Sequence, residues 1–310
     1  MTRSRPNAMR SRAWALVAVV VLAVAAALVG AGRLRHRLDF DREAAYTHVQ
    51  AQVNLGARHP GTEAAWATGE YIRHELERAG CRVWTQEFSY RGVRLRNVVG
   101  VLGEGKGPIS LLGAHYDTRR LADRDVSYPT RPVPGANDGD SGVAVLLELA
   151  RALDQERLAN EVWLAFFDAE DQGGIDGWPW SVGASYMAAN LPATPDHVII
   201  VDMVGDADQR LTWERNSDPE LLGLIWSVAS DLGYGESFVP EYGHAVLDDH
   251  IPFVEAGIPA VDIIDLDYPY WHTIEDTPDK VRADSLQRVG RVLEALLERD
   301  GVAIRKGDAR

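Results

Sequence analysis

The 310-residue chain has one cysteine, Cys81. A single thiol cannot close an intrachain disulfide, so the fold must rest on its core, and cysteine usage is silent about the redox compartment. No histidine or asparagine context marks Cys81 as a nucleophile. At the head of Cys81-Arg82-Val83-Trp84-Thr85 it reads as a small buried hydrophobe. The chain also lacks internal repeats, low-complexity tracts and a basic surface. Its formal charge is −14, and setting aside the first 37 residues, with seven Arg and no acid, leaves −21. Such a body repels nucleic acid and anionic membrane surfaces, so no nucleic-acid partner is expected. With 46% hydrophobic and 25% charged residues it has the composition of a globular protein with a large core.

The one long uncharged stretch runs from Ala13 to Gly32. As a helix rising about 1.5 Å per residue it would span the roughly 30 Å hydrocarbon core. Residues 1–12 then read as a basic cytoplasmic tail, 13–32 as a transmembrane signal anchor and 33–39 as a linker to a catalytic domain at 40–310. A cleaved signal peptide is the rival, because Val29-Gly30-Ala31 is a tolerable cleavage site. Either way the body is expected outside the cytoplasm: membrane-anchored in a periplasmic or extracellular setting, or secreted after cleavage.

From Asp39 onward, helical and strand patterns alternate. Ala65, Ile72, Leu76 and Ala79 follow Thr62 at helical spacing, and Gly80 closes that helix. Strands are expected near 81–89, 94–102, 108–114, 162–167, 197–203 and 260–265, and helices at 141–154, 182–190, 218–231 and 281–299. This order predicts a three-layer α/β/α sandwich around a mixed, mainly parallel sheet.

The apolar run Val162-Trp163-Leu164-Ala165-Phe166-Phe167 ends in Asp168, Glu170 and Asp171. Carboxylates bunched at a buried strand's end are costly unless a cation or a reaction requires them. His115, Asp138, Asp171 and Asp202 are separated by 23, 33 and 31 residues, each close to one βαβ repeat. Polar groups at the carboxyl ends of parallel strands converge on one crevice, and His272 follows a later strand in the same sense. Imidazole with carboxylate, and no cysteine, suits a catalytic Zn²⁺ with an open position.

Six ordered motifs carry a resemblance to the zinc exopeptidase superfamily of the M28 aminopeptidases, and within it to the animal-type glutaminyl cyclases. They are Gly113-Ala114-His115-Tyr116-Asp117-Thr118, Gly135-Ala136-Asn137-Asp138, and Leu147-Glu148-Leu149-Ala150-Arg151-Ala152-Leu153, followed by Phe166-Phe167-Asp168-Ala169-Glu170-Asp171, Asp248-Asp249-His250-Ile251-Pro252-Phe253 and Trp271-His272-Thr273. The resemblance begins at Arg58-His59-Pro60-Gly61-Thr62 and reaches the final helix. It implies a zinc held by Asp138, Asp171 and His272, with Glu170 as general acid/base. In peptidase relatives His115 and Asp202 complete a second zinc site bridged by Asp138, whereas cyclase relatives keep both residues and bind one zinc. It also implies a strained peptide after Asp138, cis being one form, with Gly139 following the bend. Many relatives have Glu-Glu where this chain has Glu170-Asp171, so the shorter Asp171 must bring strand end and zinc closer by about 1 Å to restore the usual metal–oxygen distance.

In the cyclases the counterpart of Asp248 joins Glu170 and Asp202 in a hydrogen-bonded carboxylate group, and aromatic residues wall the pocket. Trp178, Tyr270 and Trp271 are the expected wall, with Trp180 competing for the place of Trp178. The implied reaction closes the N-terminal glutamine of a peptide or protein into pyroglutamate. The alternatives are a di-zinc aminopeptidase and a catalytically inert ectodomain that binds a partner. The sequence leaves substrate residues beyond the first one or two, and the oligomeric state, open.

Overall fold

Runs of β-branched and aromatic residues with almost no exposed side chains form the centre of the molecule. The computed structural model describes residues 39–298. Strands β1 (Arg82–Tyr90), β2 (Val93–Leu102), β3 (Ile109–His115), β4 (Glu161–Phe167), β5 (His197–Asp202) and β8 (Ala260–Ile264) pair in the order β1-β2-β4-β3-β5-β8. Neighbours β4, β3, β5 and β8 are parallel, and β2 is antiparallel to both β1 and β4. The mixed, mainly parallel sheet is therefore present, with a hairpin at one edge. That hairpin turns in two residues, Arg91 (φ 50°) and Gly92 (φ 80°), and pairs Tyr90 with Val93. Two successive positive φ values match the right-handed twist of the flanking strands.

Helices cover both faces. Leu111, Trp163, Ala165, Phe167, Val198 and Ile200 pack against Ala184 and Met187 of α4 (Val182–Ala189) and Phe253 of α6 (Ile251–Glu255). On the other face lie α2 (Glu63–Arg78) and α3 (Asp140–Ala152). A Cβ on Gly100 would meet Leu76 of α2 at 2.7 Å, and one on Gly142 would fall 2.0 Å from the Val201 carbonyl. Helix α3 thus sits closer to the sheet than any side chain at position 142 allows. Helix α1 (Arg42–Asn54), absent from the sequence expectation, opens this layer, and α7 (Ala283–Glu298) closes it, burying Leu286, Val289, Val292, Leu293 and Leu296 as its spacing predicts.

Thr62 caps α2 by accepting from the Ala65 amide at 3.2 Å, and Gly80 follows at φ 83°. Buried Arg58, in the motif just before it, pairs with Asp140 at 2.8 Å and donates to the Gly135 and Pro134 carbonyls. It thereby fixes the turn that delivers Asp138. Cys81 is buried just ahead of β1, and burial pushes its thiol up to about 12. Also absent from the sequence expectation, β6 (Leu211–Trp213) and β7 (Phe238–Tyr242) form a small parallel sheet. Helix α5 (Pro219–Asp231) lies between them in sequence, at the expected place. The 13–32 run and its expected membrane helix lie outside the described residues. Among the described residues, no helix is long and apolar enough to cross a membrane.

Candidate metal and active site

The carboxyl ends of β3, β4, β5 and β8 and the turns after them supply the site, so side chains up to 157 residues apart in sequence meet there. His115 ends β3 and Asp202 ends β5. Glu170 and Asp171 lie just past β4, and Asp138 immediately precedes the Gly139 cap of α3. His272 occupies a turn after β8. Ala169 (φ 61°), Met203 (φ 44°) and His272 (φ 59°) are all non-glycine residues in the left-handed region, each at or beside a site residue. Such backbone persists only where the surroundings overdetermine it, as they do at built sites. Gly139 takes the bend after Asp138 at φ 95°. No peptide bond among the described residues is cis, so the cis form of that expectation is corrected.

Two ligand groups result, sharing Asp138. In one, Asp138, Asp171 and His272 present atoms within 4.8 Å of one another, and in the other His115, Asp138 and Asp202 do. His272 Nε2 lies 3.2 Å from Asp171 Oδ1 and 3.7 Å from Asp138 Oδ2. His115 Nε2 lies 3.2 Å from oxygens of both Asp138 and Asp202. These separations suit ligands arranged about one ion at roughly 2.0–2.2 Å. The shorter Asp171 reaches the group. His272 Nε2, Asp138 Oδ2 and Asp171 Oδ2 are buried with no hydrogen-bond partner. Orphaned donor atoms of this kind, converging with no polar group between them, fit a cation.

The charge balance agrees. Burial opposes the ionised form of His272, yet Asp171, Asp123 and Asp138 hold the ring up to about 9. His115, also opposed by burial, is held well above the usual imidazole range by Asp202, Asp117 and Asp138. Burial and Asp138 push Asp171 up to about 6, with His272 pulling it back. The cage calls for positive charge, which protons or a divalent ion can supply.

An outer layer aims these groups. Asp117, fully buried, accepts from the Glu170 amide (2.8 Å), the Asp171 amide (3.2 Å) and Gln172 Nε2 (3.3 Å), and lies 3.5 Å from His115 Nδ1. Asp123 takes His272 Nδ1 at 3.2 Å and is itself clamped by Arg119, which also donates to the Asp171 and Gly173 carbonyls. Asp276 accepts from the Asn137 and Asp138 amides and from the Tyr268 hydroxyl. Sequence reasoning assigned no role to Asp123, Arg119 or Asp276. Residues 117–125 hold three acids, and geometry distinguishes them: Asp123 faces His272, whereas Asp125 accepts from the Ile274 amide.

Glu170, buried, has its carboxyl raised well above the usual range by burial, then by Asp248, Asp171 and Asp249, against His115. Asp202 is pushed up to about 7 by burial, with Asp248 and Asp138 adding and His115 opposing. Asp248, buried in the turn before α6, thus lies in the electrostatic field of both. The arrangement can hold and return a proton near neutral pH.

The aromatic expectations divide. Trp271 lies against His272 with ring centroids 4.1 Å apart, and Tyr270 joins it in a cluster over Met203. Trp178 instead packs edge-on against Tyr90 at 5.1 Å, in a cluster with Leu95 and Val182. Its competitor Trp180 lies beside the ligand group, its ring 18° from parallel to His272 at 6.0 Å. The Ile175–Gly177 turn swings Trp178 toward the hairpin, while Gly173 leaves room for the Trp180 ring, which lies 2.0 Å from where a Cβ would be.

The sequence model of Peptidase family M28 matches residues 97–297, well over half of the chain. The chain belongs to peptidase family M28. Among M28-like relatives, glutaminyl-peptide cyclotransferase of Bos taurus is 23% identical over 292 residues, covering 77% of each chain. The glutaminyl cyclase of Bacteroides thetaiotaomicron, solved with N-acetylhistamine bound, superposes with a TM-score of 0.79 at 32% identity, covering 84% of this chain and 99% of that one. A Zn-dependent exopeptidase from Parabacteroides distasonis ATCC 8503 gives a TM-score of 0.78 at 33% identity over 84% and 99%. The M28 fold is thus shared with proteins named for both chemistries, and the site has to decide between them.

Proposed function

We propose that the chain is a zinc-dependent glutaminyl-peptide cyclotransferase, converting the N-terminal glutamine of peptides or proteins into pyroglutamate with release of ammonia. The observation that carries this reading is the third buried carboxylate, Asp248, in the field of Glu170 and Asp202. A cyclisation needs one proton moved from the attacking amine to the departing one, within a site that keeps protons from bulk water. The similarity to glutaminyl cyclases over most of the chain supports it.

Asp138, Asp171 and His272 would hold the zinc, which when bound supplies Lewis-acid polarisation of the glutamine γ-carbonyl. The α-amine then forms a bond to the carbonyl carbon of the glutamine side chain, Cδ. Glu170 takes the proton released from that amine and returns it to the amide nitrogen as the carbon–nitrogen bond breaks, so that ammonia leaves and the carboxylate is restored. Asp202 and Asp248 orient the amine and the departing nitrogen. Trp180, Trp271 and Tyr270 line the approach and limit water, holding amine and carbonyl in a near-attack arrangement.

A second reading, an M28 aminopeptidase, is favoured by the intact His115, Asp138 and Asp202 group, which suits a second zinc. Glu170 would then serve as base for a water attacking a backbone carbonyl. One paired assay separates the two: cyclisation of a Gln-initiated peptide against hydrolysis of a Leu-initiated one, with zinc counted on the same sample. The cyclase reading expects one tightly bound zinc and pyroglutamate; two tight zincs with leucine release would sink it.

We also propose that residues 13–32 anchor the protein with its catalytic residues outside the cytoplasm, a reading supported by the length and apolarity of that run. Protease accessibility of the intact protein in spheroplasts tests it; complete protection would refute it.

A further inference from the structure

Trp180, Trp271 and Tyr270, the three aromatic residues assigned to the approach, each carry a cation over the ring. The guanidinium carbon of Arg119 lies 5.0 Å from the Trp180 ring centroid, Lys280 Nζ lies 4.9 Å from that of Tyr270, and the guanidinium carbon of Arg124 lies 4.1 Å from that of Trp271. A ring attracts a cation through its quadrupole but does not neutralise it, so each of the three still calls for an anion. Two receive one from the protein. Arg119 pairs with Asp123 at 2.5 Å, and Lys280 pairs with Asp279 at 2.6 Å. Arg124 is exposed, and among the described residues its guanidinium has no carboxylate partner. The acids beside it in sequence are committed elsewhere: Asp123 to Arg119 and His272, and Asp125 to the amides of Ser127, Tyr128 and Ile274.

The loop that carries Arg124 is held against the ligand turn. The Arg124 amide donates to the His272 carbonyl at 3.3 Å, and Asp125 Oδ2 accepts from the Ile274 amide at 3.2 Å. Trp271, between Arg124 and the ligand, lies 4.1 Å from the His272 ring, centroid to centroid. The guanidinium is therefore no farther from that ring than about two residues of an extended peptide, each advancing roughly 3.3–3.6 Å. Stacking leaves the edge of the guanidinium, with its N–H donors, free to meet a carboxylate side-on.

We propose that Arg124 is a specificity-determining residue that takes a carboxylate of the substrate, supplied by an acidic side chain at the second or third position or by the C-terminus of a short peptide. The substrate thus provides the counter-charge that Asp123 and Asp279 provide for the other two cations. In a body of strongly negative charge, a free cation at this place offsets the repulsion that an acidic peptide otherwise meets. The inference rests on the cyclase reading for the identity of the first residue alone.

The test compares kcat/KM for cyclisation within two pairs of peptides. One pair is glutamine-glutamate-alanine amide against glutamine-alanine-alanine amide, and the other is glutamine-alanine with a free C-terminus against its amide. The wild type is expected to favour the carboxylate-bearing member by roughly two- to fivefold at low salt, the size of an exposed ion pair, with the difference in KM. The preference shrinks as ionic strength rises. A preference in either pair supports the proposal and says which carboxylate is taken. Arg124→Gln keeps a planar group over Trp271 without the charge and abolishes the preference; Arg124→Glu reverses it in favour of a lysine-bearing peptide. A residue that merely props Trp271 would lower kcat/KM for all four peptides alike. Such uniform loss in Arg124→Gln with the preference retained overturns the proposal, as does a wild type with no preference in either pair. A wild type that forms no pyroglutamate from any of the four refutes the cyclase reading instead, and the same paired comparison on leucine-initiated peptides then decides the role of Arg124.

Discussion

Asp123 holds the ring of His272 from behind, its Oδ1 lying 3.2 Å from Nδ1. That contact sets which face of the imidazole Nε2 turns toward Asp138 and Asp171. Outer carboxylates of this kind tune ligand basicity and orientation, and their removal typically costs about 10–100-fold in metal affinity. Asp123→Ala is therefore expected to weaken zinc binding by about that factor without unfolding the protein, as measured by competition with a chromogenic chelator. Unchanged affinity would show that His272 is aimed by something else.

Glu170 is the proton carrier of the account. Glu170→Gln keeps size and hydrogen-bonding capacity but cannot take a proton, so turnover should fall by about 10²–10⁴ while zinc content stays at the wild-type level. A variant that loses zinc in proportion to activity would instead make Glu170 part of the metal cage.

The two tryptophans separate on position. Trp180→Ala removes a ring lying against His272, a contact worth about 0.5–1.5 kcal/mol, and is expected to lower kcat/KM by roughly 2- to 12-fold. Trp178→Ala should leave kcat/KM unchanged and lower the melting temperature, because Trp178 packs on Tyr90. The reverse pattern in a side-by-side kinetic and thermal comparison would return Trp178 to the wall.

Stability should respond to pH with a definite sign. Asp202 and Asp276 are raised to about 7 and Asp171 to about 6, all above the ordinary carboxylate value, and His272 is raised to about 9. A group raised on folding favours the native state while protonated and loses that contribution as pH climbs through its folded value. The chelated protein should therefore lose thermal stability between about pH 4 and pH 7, and further through about 9. Bound zinc would hold the same carboxylates ionised, so the gap in melting temperature between zinc-loaded and chelated protein should widen with rising pH. Calorimetry showing a constant gap would contradict this charge assignment.

The convergence of the candidate site residues was legible because buried parallel strands announce themselves as apolar runs, and polar residues at their ends have one crevice to face. His115, Asp171 and Asp202 were found that way. The β1/β2 hairpin was read as two strands without its antiparallel sense, although Arg91-Gly92 between them carried a two-residue turn signal. Asp123 and Asp276 were invisible for a physical reason: they act from irregular segments, where no periodicity orders the side chains. Trp180 was chosen over Trp178 by a left-handed turn and the empty side of Gly173, features that composition alone does not rank. The helix α1 and the β6/β7 pair are short or weakly patterned, and tertiary packing determines them.

The central claim is that Asp138, Asp171 and His272 share one ion, and zinc-edge X-ray absorption on the purified protein tests it most directly. The account predicts one zinc per chain with a shell of oxygen and nitrogen at about 2.0–2.2 Å, one imidazole in it, and loss of that imidazole signal in His272→Ala. An unchanged imidazole contribution in the variant, or zinc that dialyses away from the wild type, would contradict it.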